Sequence, residues 1–199
     1  MSVGEQEEWR LARIEGHEPP KAGLEWTSVP RWRQPQRLPD AASYLACSFG
    51  DEGRDRVAAL LSGAEPRIPV RMAAFGTRWD TQIEATLRRL IGGCLTGVRI
   101  VLAGPESVVM RAVAVARELG ASAEELVPIA DEAISDGYVA EPAGRRVFCP
   151  TCRRVFDVTA AIGDVVTHGE CGENFIVDHR FSRPHAAYFG WPASLDLHR

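Results

Sequence analysis

The chain has 199 residues, 45% of them hydrophobic and 25% charged, and a net charge of −4. That length accommodates a medium domain with a smaller one beside it, and the composition excludes a disordered polymer. Arginines are scattered, Lys21 is the one lysine, and no apolar run approaches the roughly 20 residues that span a bilayer, so neither nucleic acid nor membrane is an expected partner.

The first segment, 1–41, reads as an extended arm. Pro30, Pro35 and Pro39 exclude a regular helix, while Trp26 and Trp32 are costly to leave in water. The opening residues, MSVGEQEEWRLARIEGHEPP, are acidic and lack an apolar core, so no signal peptide is expected and the cytoplasm is the expected compartment.

Residues 42–140 alternate strand and helix patterns. SYLACSF is a predicted strand. EGRDRVAALLSGA is a predicted helix with Val57, Leu60 and Leu61 on one side. IPVRMAAFG is a second strand. DTQIEATLRRLIGG repeats Ile83, Leu87, Leu90 and Ile91 along one face, with Thr81 and Glu84 at capping-box spacing and Gly92 and Gly93 as a stop. GVRIVLAG reads as a buried strand. PESVVMRAVAVARELG reads as a helix from Pro105 to Gly120, and ELVPIAD as a short strand. The predicted fold class is therefore α/β, with a small parallel sheet and right-handed crossovers. Cys47 and Cys94 lie in apolar settings and read as core residues. Glu84, Glu106, Glu118, Glu124 and Glu125 read as solvated helix faces.

Residues 141–179 read as a zinc ribbon. Cys149 and Cys152 are separated by two residues in FCPTC; fifteen residues intervene before His168 and Cys171 repeat the spacing in HGECG. Zinc takes four thiolate or imidazole ligands in a tetrahedron, and Cys149, Cys152, His168 and Cys171 provide three and one. The alternative is that His168 is an exposed turn residue beside an incomplete site. RRVFDVTAAIGDVVT between the knuckles reads as a two-stranded hairpin, and ENFIVDH as a third strand. A closed four-coordinate ion leaves no position for water or substrate, so the expected role is structural. The final segment, 180–199, is rich in aromatics: Phe181, Tyr188, Phe189 and Trp191 stand among Arg180, Arg183, His185 and, just upstream, His179. It reads either as a set of interface anchors or as a tail folded back on its own domain, with an active-site role for His179 or His185 as a further alternative.

Two resemblances add to this reading. VRIVLAGPESVVMRAVAVARELGASAEELVPI is similar to the end of the nucleotide-binding domain of ferredoxin–NADP reductase-like proteins. Gly104, Pro105 and Met110 match, while Ala103 stands where those proteins carry cysteine. The resemblance implies a reduced nucleotide-binding domain and, as an alternative function, a stand-alone NAD(P)-binding reductase-like protein. Gly50 and Gly53 in SFGDEGRD enclose Asp51 and Glu52, which would repel a pyrophosphate at a helix N-terminus.

FCPTCRRVFDV, GENFIVDHRFSRPHAAYFGWPA and LDLHR, with the α/β half before them, resemble the A-subunit family of dimethylamine monooxygenase, from about residue 43 to 199. The resemblance implies a component of a multi-subunit, haem-dependent, NADPH-consuming enzyme that oxidises dimethylamine to methylamine and formaldehyde. It places haem on an oxygenase partner subunit, and FMN and iron–sulfur on a reductase partner subunit. Some relatives are expected to carry cysteine where this chain has His168. The functional expectation is a non-catalytic docking subunit with one structural zinc.

Overall fold

A computed structural model describes residues 35–63, 67–130 and 142–194. They fall into two compact units, one within residues 31–133 and one within 134–199. Trp26 and Trp32 of the arm lie outside the described residues. Among the described residues, no helix is long and apolar enough to cross a membrane.

The first unit runs β1 (Ser43–Phe49), α1 (Gly50–Ser62), β2 (Val70–Phe75), α2 (Thr81–Gly92), β3 (Val98–Gly104), α3 (Glu106–Glu118) and β4 (Leu126–Ala130). All three ladders are parallel and the strand order is β2-β1-β3-β4. Each strand therefore needs a helical crossover, and the alternating sequence supplies one. Central strands β1 and β3 are covered on both faces, which explains their unbroken apolar runs. Leu45, Cys47 and Phe49 point to one side, into a cluster with Leu87 of α2 and Val109 of α3. Tyr44 and Ala46 point to the other, against Val57 and Leu60 of α1 and against Leu38 from the end of the arm.

Local signals set the ends of these elements, with one displacement. The N-cap of α2 is Asp80, whose Oδ1 accepts from the Ile83 N–H at 2.7 Å. The box read at Thr81 and Glu84 is thus one residue out of phase, because Asp80 is the residue with extended backbone. Glu84 instead pairs with Arg88, which also binds Glu118 of α3. Glu106 departs from the solvated-face reading. It is fully buried in the first turn of α3, where the helix dipole favours a carboxylate.

Gly53 is a spacer. A Cβ there would stand 2.4 Å from the Ala103 carbonyl oxygen, so α1 crosses β3 at a distance only glycine permits. Gly104 answers the same need from the opposite side: its Cβ would stand 2.5 Å from the Phe49 oxygen.

The second unit is a sheet of β5 (Ala143–Phe148), β6 (Val155–Ala160), β7 (Val165–Thr167), β8 (Asn174–Ser182) and β9 (Ala187–Pro192), in the order β6-β5-β9-β8-β7. The predicted hairpin between the knuckles does not form. β6 pairs with β5, β7 pairs with β8, and no ladder among the described residues joins β6 to β7. The local pattern predicted the strands, but pairing partners are a non-local choice. β6 and β7 stand at opposite edges of the order yet are joined by residues 161–164 alone. So short a link reaches at most roughly 17 Å, so the sheet curls until its edges nearly meet, close to a barrel.

Strand β9 comes from the segment read as a tail. It lies between the two hairpins, parallel to β5 and antiparallel to β8. Tyr188 is fully buried there. The Arg145 guanidinium, also fully buried, lies over the Tyr188 ring, and its Nε donates to the Ala160 oxygen at 2.9 Å. One side chain of β5 thereby ties β6 to β9 inside the sheet.

Two outcomes follow for the first unit. Helix propensity alone makes Gly→Ala stabilising by up to about 1 kcal/mol; Gly53→Ala is expected to invert that sign and lower the urea-unfolding free energy by about 1–3 kcal/mol through overpacking on Ala103. Burial, reinforced by nearby Cys94 and opposed by Arg71, pushes the Cys47 thiol up to about 12. The folded chain keeps this proton where the unfolded thiol has lost it, so stability falls as pH rises from the unfolded thiol range towards 12. Urea titrations between pH 9 and 10.5 should show wild type losing up to about 1.4 kcal/mol per pH unit more than Cys47→Ala.

Candidate metal centre

Each half of the centre is a turn closing one hairpin. In the first, the Cys149 N–H donates to the Arg154 oxygen and the Arg153 N–H to the Cys149 oxygen, both at 2.8 Å. In the second, the His168 N–H donates to the Glu173 oxygen at 2.9 Å and the Gly172 N–H to the His168 oxygen at 2.8 Å. The wiring is the same, residue for residue. His168 stands where Cys149 stands, Cys171 where Cys152 stands, and Gly172 where Arg153 stands. Arg153 and Gly172 even share the left-handed backbone, at φ 60° and 69°. His168 thus occupies a knuckle's first ligand position, and with 3% exposure it is not a surface turn residue.

The four side chains converge. Their ligand atoms all lie within 4.8 Å of one another. Cys149 Sγ and Cys171 Sγ are 3.8 Å apart, Cys152 Sγ and His168 Nδ1 3.5 Å, and His168 Nδ1 and Cys171 Sγ 3.1 Å. A tetrahedron with metal–sulfur bonds of about 2.3 Å and metal–nitrogen bonds of about 2.05 Å has S···S edges near 3.8 Å and S···N edges near 3.5 Å. The first two separations match those edges and the third is slightly short. Such a group could hold a metal ion.

The surroundings orient the donors. The Cys152 N–H points at Cys149 Sγ at 3.4 Å and orients that sulfur. Phe156 of β6 stacks on the His168 ring at 4.4 Å and fixes its plane. Arg154 and Glu170 make an exposed ion pair at 2.7 Å from one turn to the other, worth little by itself. The stack and the ion pair both bridge the gap between β6 and β7 that no ladder among the described residues closes.

The remaining candidates lie elsewhere. His185 is exposed and stacks on Phe148 at 4.2 Å, with Phe189 edge-on to the same ring. His179 sits in an irregularity of β8 opposite β9, with Nδ1 3.0 Å from Asp178. Arg180 also binds Asp178, and its guanidinium lies over Trp191, which is 38% exposed. Of the aromatic segment, then, Tyr188 is core and Trp191 faces outward. Cys47 is buried as read, whereas Cys94 is half-buried and its sulfur accepts from Arg71 at 3.2 Å. Gly50 and Gly53, weighed as a phosphate loop, open helix α1 with Asp51 and Glu52 in the first turn, and Gly53 is consumed in packing. Sequence reasoning missed Arg145; a charged residue in a short alternating strand gives no sign of which face it takes.

No family model matches the chain, and neither a curated protein nor a solved structure matches it.

The paired turns yield a reciprocal expectation. Arg153→Gly should stabilise the metal-loaded chain by about 1 kcal/mol, by relieving a left-handed L-residue, and Gly172→Ala should destabilise it by a similar amount. A Cβ at Gly172 would meet nothing within 4 Å, so the second change reads backbone strain alone. Urea midpoints of the two variants against wild type measure both.

Proposed function

We propose that the chain is a structural, docking subunit of a multi-subunit haem-dependent, NADPH-consuming dimethylamine monooxygenase, and that Cys149, Cys152, His168 and Cys171 hold one zinc ion. The observation that carries the structural role is the closed donor set: four side chains whose ligand atoms lie within 4.8 Å of one another, one of them a buried imidazole. Three thiolates and one imidazole suit zinc, which has no redox chemistry of its own. When bound, the ion supplies folding free energy and no reaction. The chain's own residues do the rest. The backbone N–H of Cys152 steadies Cys149, Phe156 holds the imidazole plane, and the two turns are pulled together across the open seam.

Assignment to the monooxygenase rests on the resemblance carried by the ribbon and the segment after it. The surface around β9 supports docking. Trp191 is exposed on a strand held between two hairpins, under an arginine pinned by Asp178. A rigid Trp–Arg pair of this kind is the usual anchor of a protein interface. Dimethylamine would bind on the partner that carries haem, and electrons would arrive from the partner with flavin and iron–sulfur.

Purified chain should contain one zinc per polypeptide, and tagged chain should co-purify a haem protein. Cys149→Ser should lower zinc content at least tenfold and abolish the co-purification. Iron that cycles between oxidation states, or an oxygenase that assembles and turns over fully without this chain, would refute the reading.

A further inference from the structure

The four donors differ in access. Cys149 is fully buried, Cys152 is half-buried and Cys171 is exposed. A small polar oxidant arriving from solvent therefore meets Cys171 first, and it meets a sulfur held as thiolate if zinc is bound. Cys149 Sγ waits 3.8 Å behind it. A disulfide needs about 2.05 Å between sulfurs, so one turn must yield. The second turn has the freedom to do so: Cβ atoms built at Gly169 and Gly172 would meet nothing within 4 Å, so open space surrounds both.

From these observations we propose, building on the zinc reading above, that Cys171 is a peroxide-oxidised modification site whose product is a Cys149–Cys171 disulfide and a released metal ion. Cys171 Sγ attacks one oxygen of hydrogen peroxide. The S–O bond forms, the O–O bond breaks, and the departing hydroxide is protonated by buffer acid. Cys149 Sγ then attacks the Cys171 sulfenic sulfur, the S–S bond forms, and a second hydroxide leaves and is protonated. Two thiolates are oxidised by two electrons in all, and one peroxide is reduced to two waters. Only Cys152 and His168 remain as donors, too few for a tetrahedral site. The seam between β6 and β7 then loses the ligands that join the two turns, leaving the exposed Arg154–Glu170 pair and the Phe156 stack to hold it. Oxidation thereby loosens the unit that carries the docking surface.

The test uses full-length, zinc-loaded chain, hydrogen peroxide and a chromophoric zinc indicator, with disulfides mapped by mass spectrometry. One zinc should leave per chain, Cys149–Cys171 should be the dominant disulfide, and dithiothreitol with added zinc should restore the starting state. Cys171→His keeps four donors and lacks the exposed thiolate, so its zinc release should be at least tenfold slower. Zinc retained under peroxide, a dominant Cys149–Cys152 bridge, or release from a zinc-loaded Cys171→His chain as fast as wild type each overturns the proposal; the disulfide map of wild type decides it even if that variant fails to load. Retention of zinc under peroxide leaves the structural-zinc reading standing, whereas a chain with no zinc at the outset removes both.

Discussion

A seam that no strand ladder among the described residues closes governs the second unit. Its five strands curl until β6 and β7 approach, yet the ladder stops at both edges. What crosses the gap at the turn end is side-chain chemistry: four donor atoms, one aromatic–imidazole stack and one ion pair. The exposed ion pair is worth a few tenths of a kcal/mol, and the stack is worth about 1 kcal/mol. A structural zinc in a small domain is worth of order 10 kcal/mol. If the four donors hold zinc, as proposed, that comparison makes them decide whether the seam is closed. Small units bury too little apolar surface to be indifferent to such a contribution.

The opposite side of the sheet has a different solution. β9 is inserted between the hairpins and pairs with each of them, so backbone hydrogen bonds do there what the donors do at the seam. Arg145 strengthens that side from within. Its buried guanidinium gives up hydration, and the Ala160 carbonyl and the Tyr188 ring recover part of it. The two hairpins are therefore held together twice, by a strand on one flank and by four side chains on the other. Loss of either flank leaves the other, together with the short 161–164 link, to hold the two hairpins.

Signals that live within about ten residues were legible in the sequence. The three helices, the four parallel strands and the paired knuckles follow from apolar period, glycine stops and ligand spacing, and the structure places them where those patterns fall. What was not legible is non-local. The RRVFDVTAAIGDVVT segment has two real strands, but each chose a partner outside it. Tyr188 read equally as an interface anchor or as part of a tail folded back, because nothing nearby reveals that a terminal segment will enter the middle of a sheet. Glu106 looked solvated because its burial depends on how α3 is set against its surroundings rather than on its neighbours in sequence. At α2 the signals competed, and Asp80 took the cap from Thr81 because the extended backbone falls at that residue.

The same distinction bears on the glycines of the first unit. Gly50 and Gly53 beside a strand end suggest a phosphate loop when read as letters. In the fold, Gly53 is required by close approach, and Gly104 by close approach and a φ of 148°: a Cβ would stand 2.4 and 2.5 Å, respectively, from a carbonyl oxygen of the neighbouring element. A glycine already spent on helix–strand packing is not evidence for a ligand, and two carboxylates in the first turn of α1 oppose an anion there. The structural need accounts for the motif without residue. By contrast no packing need accounts for a buried imidazole, three sulfurs converging on it within 4.8 Å and two turns wired identically. That asymmetry is why a functional account of this chain starts at its knuckles.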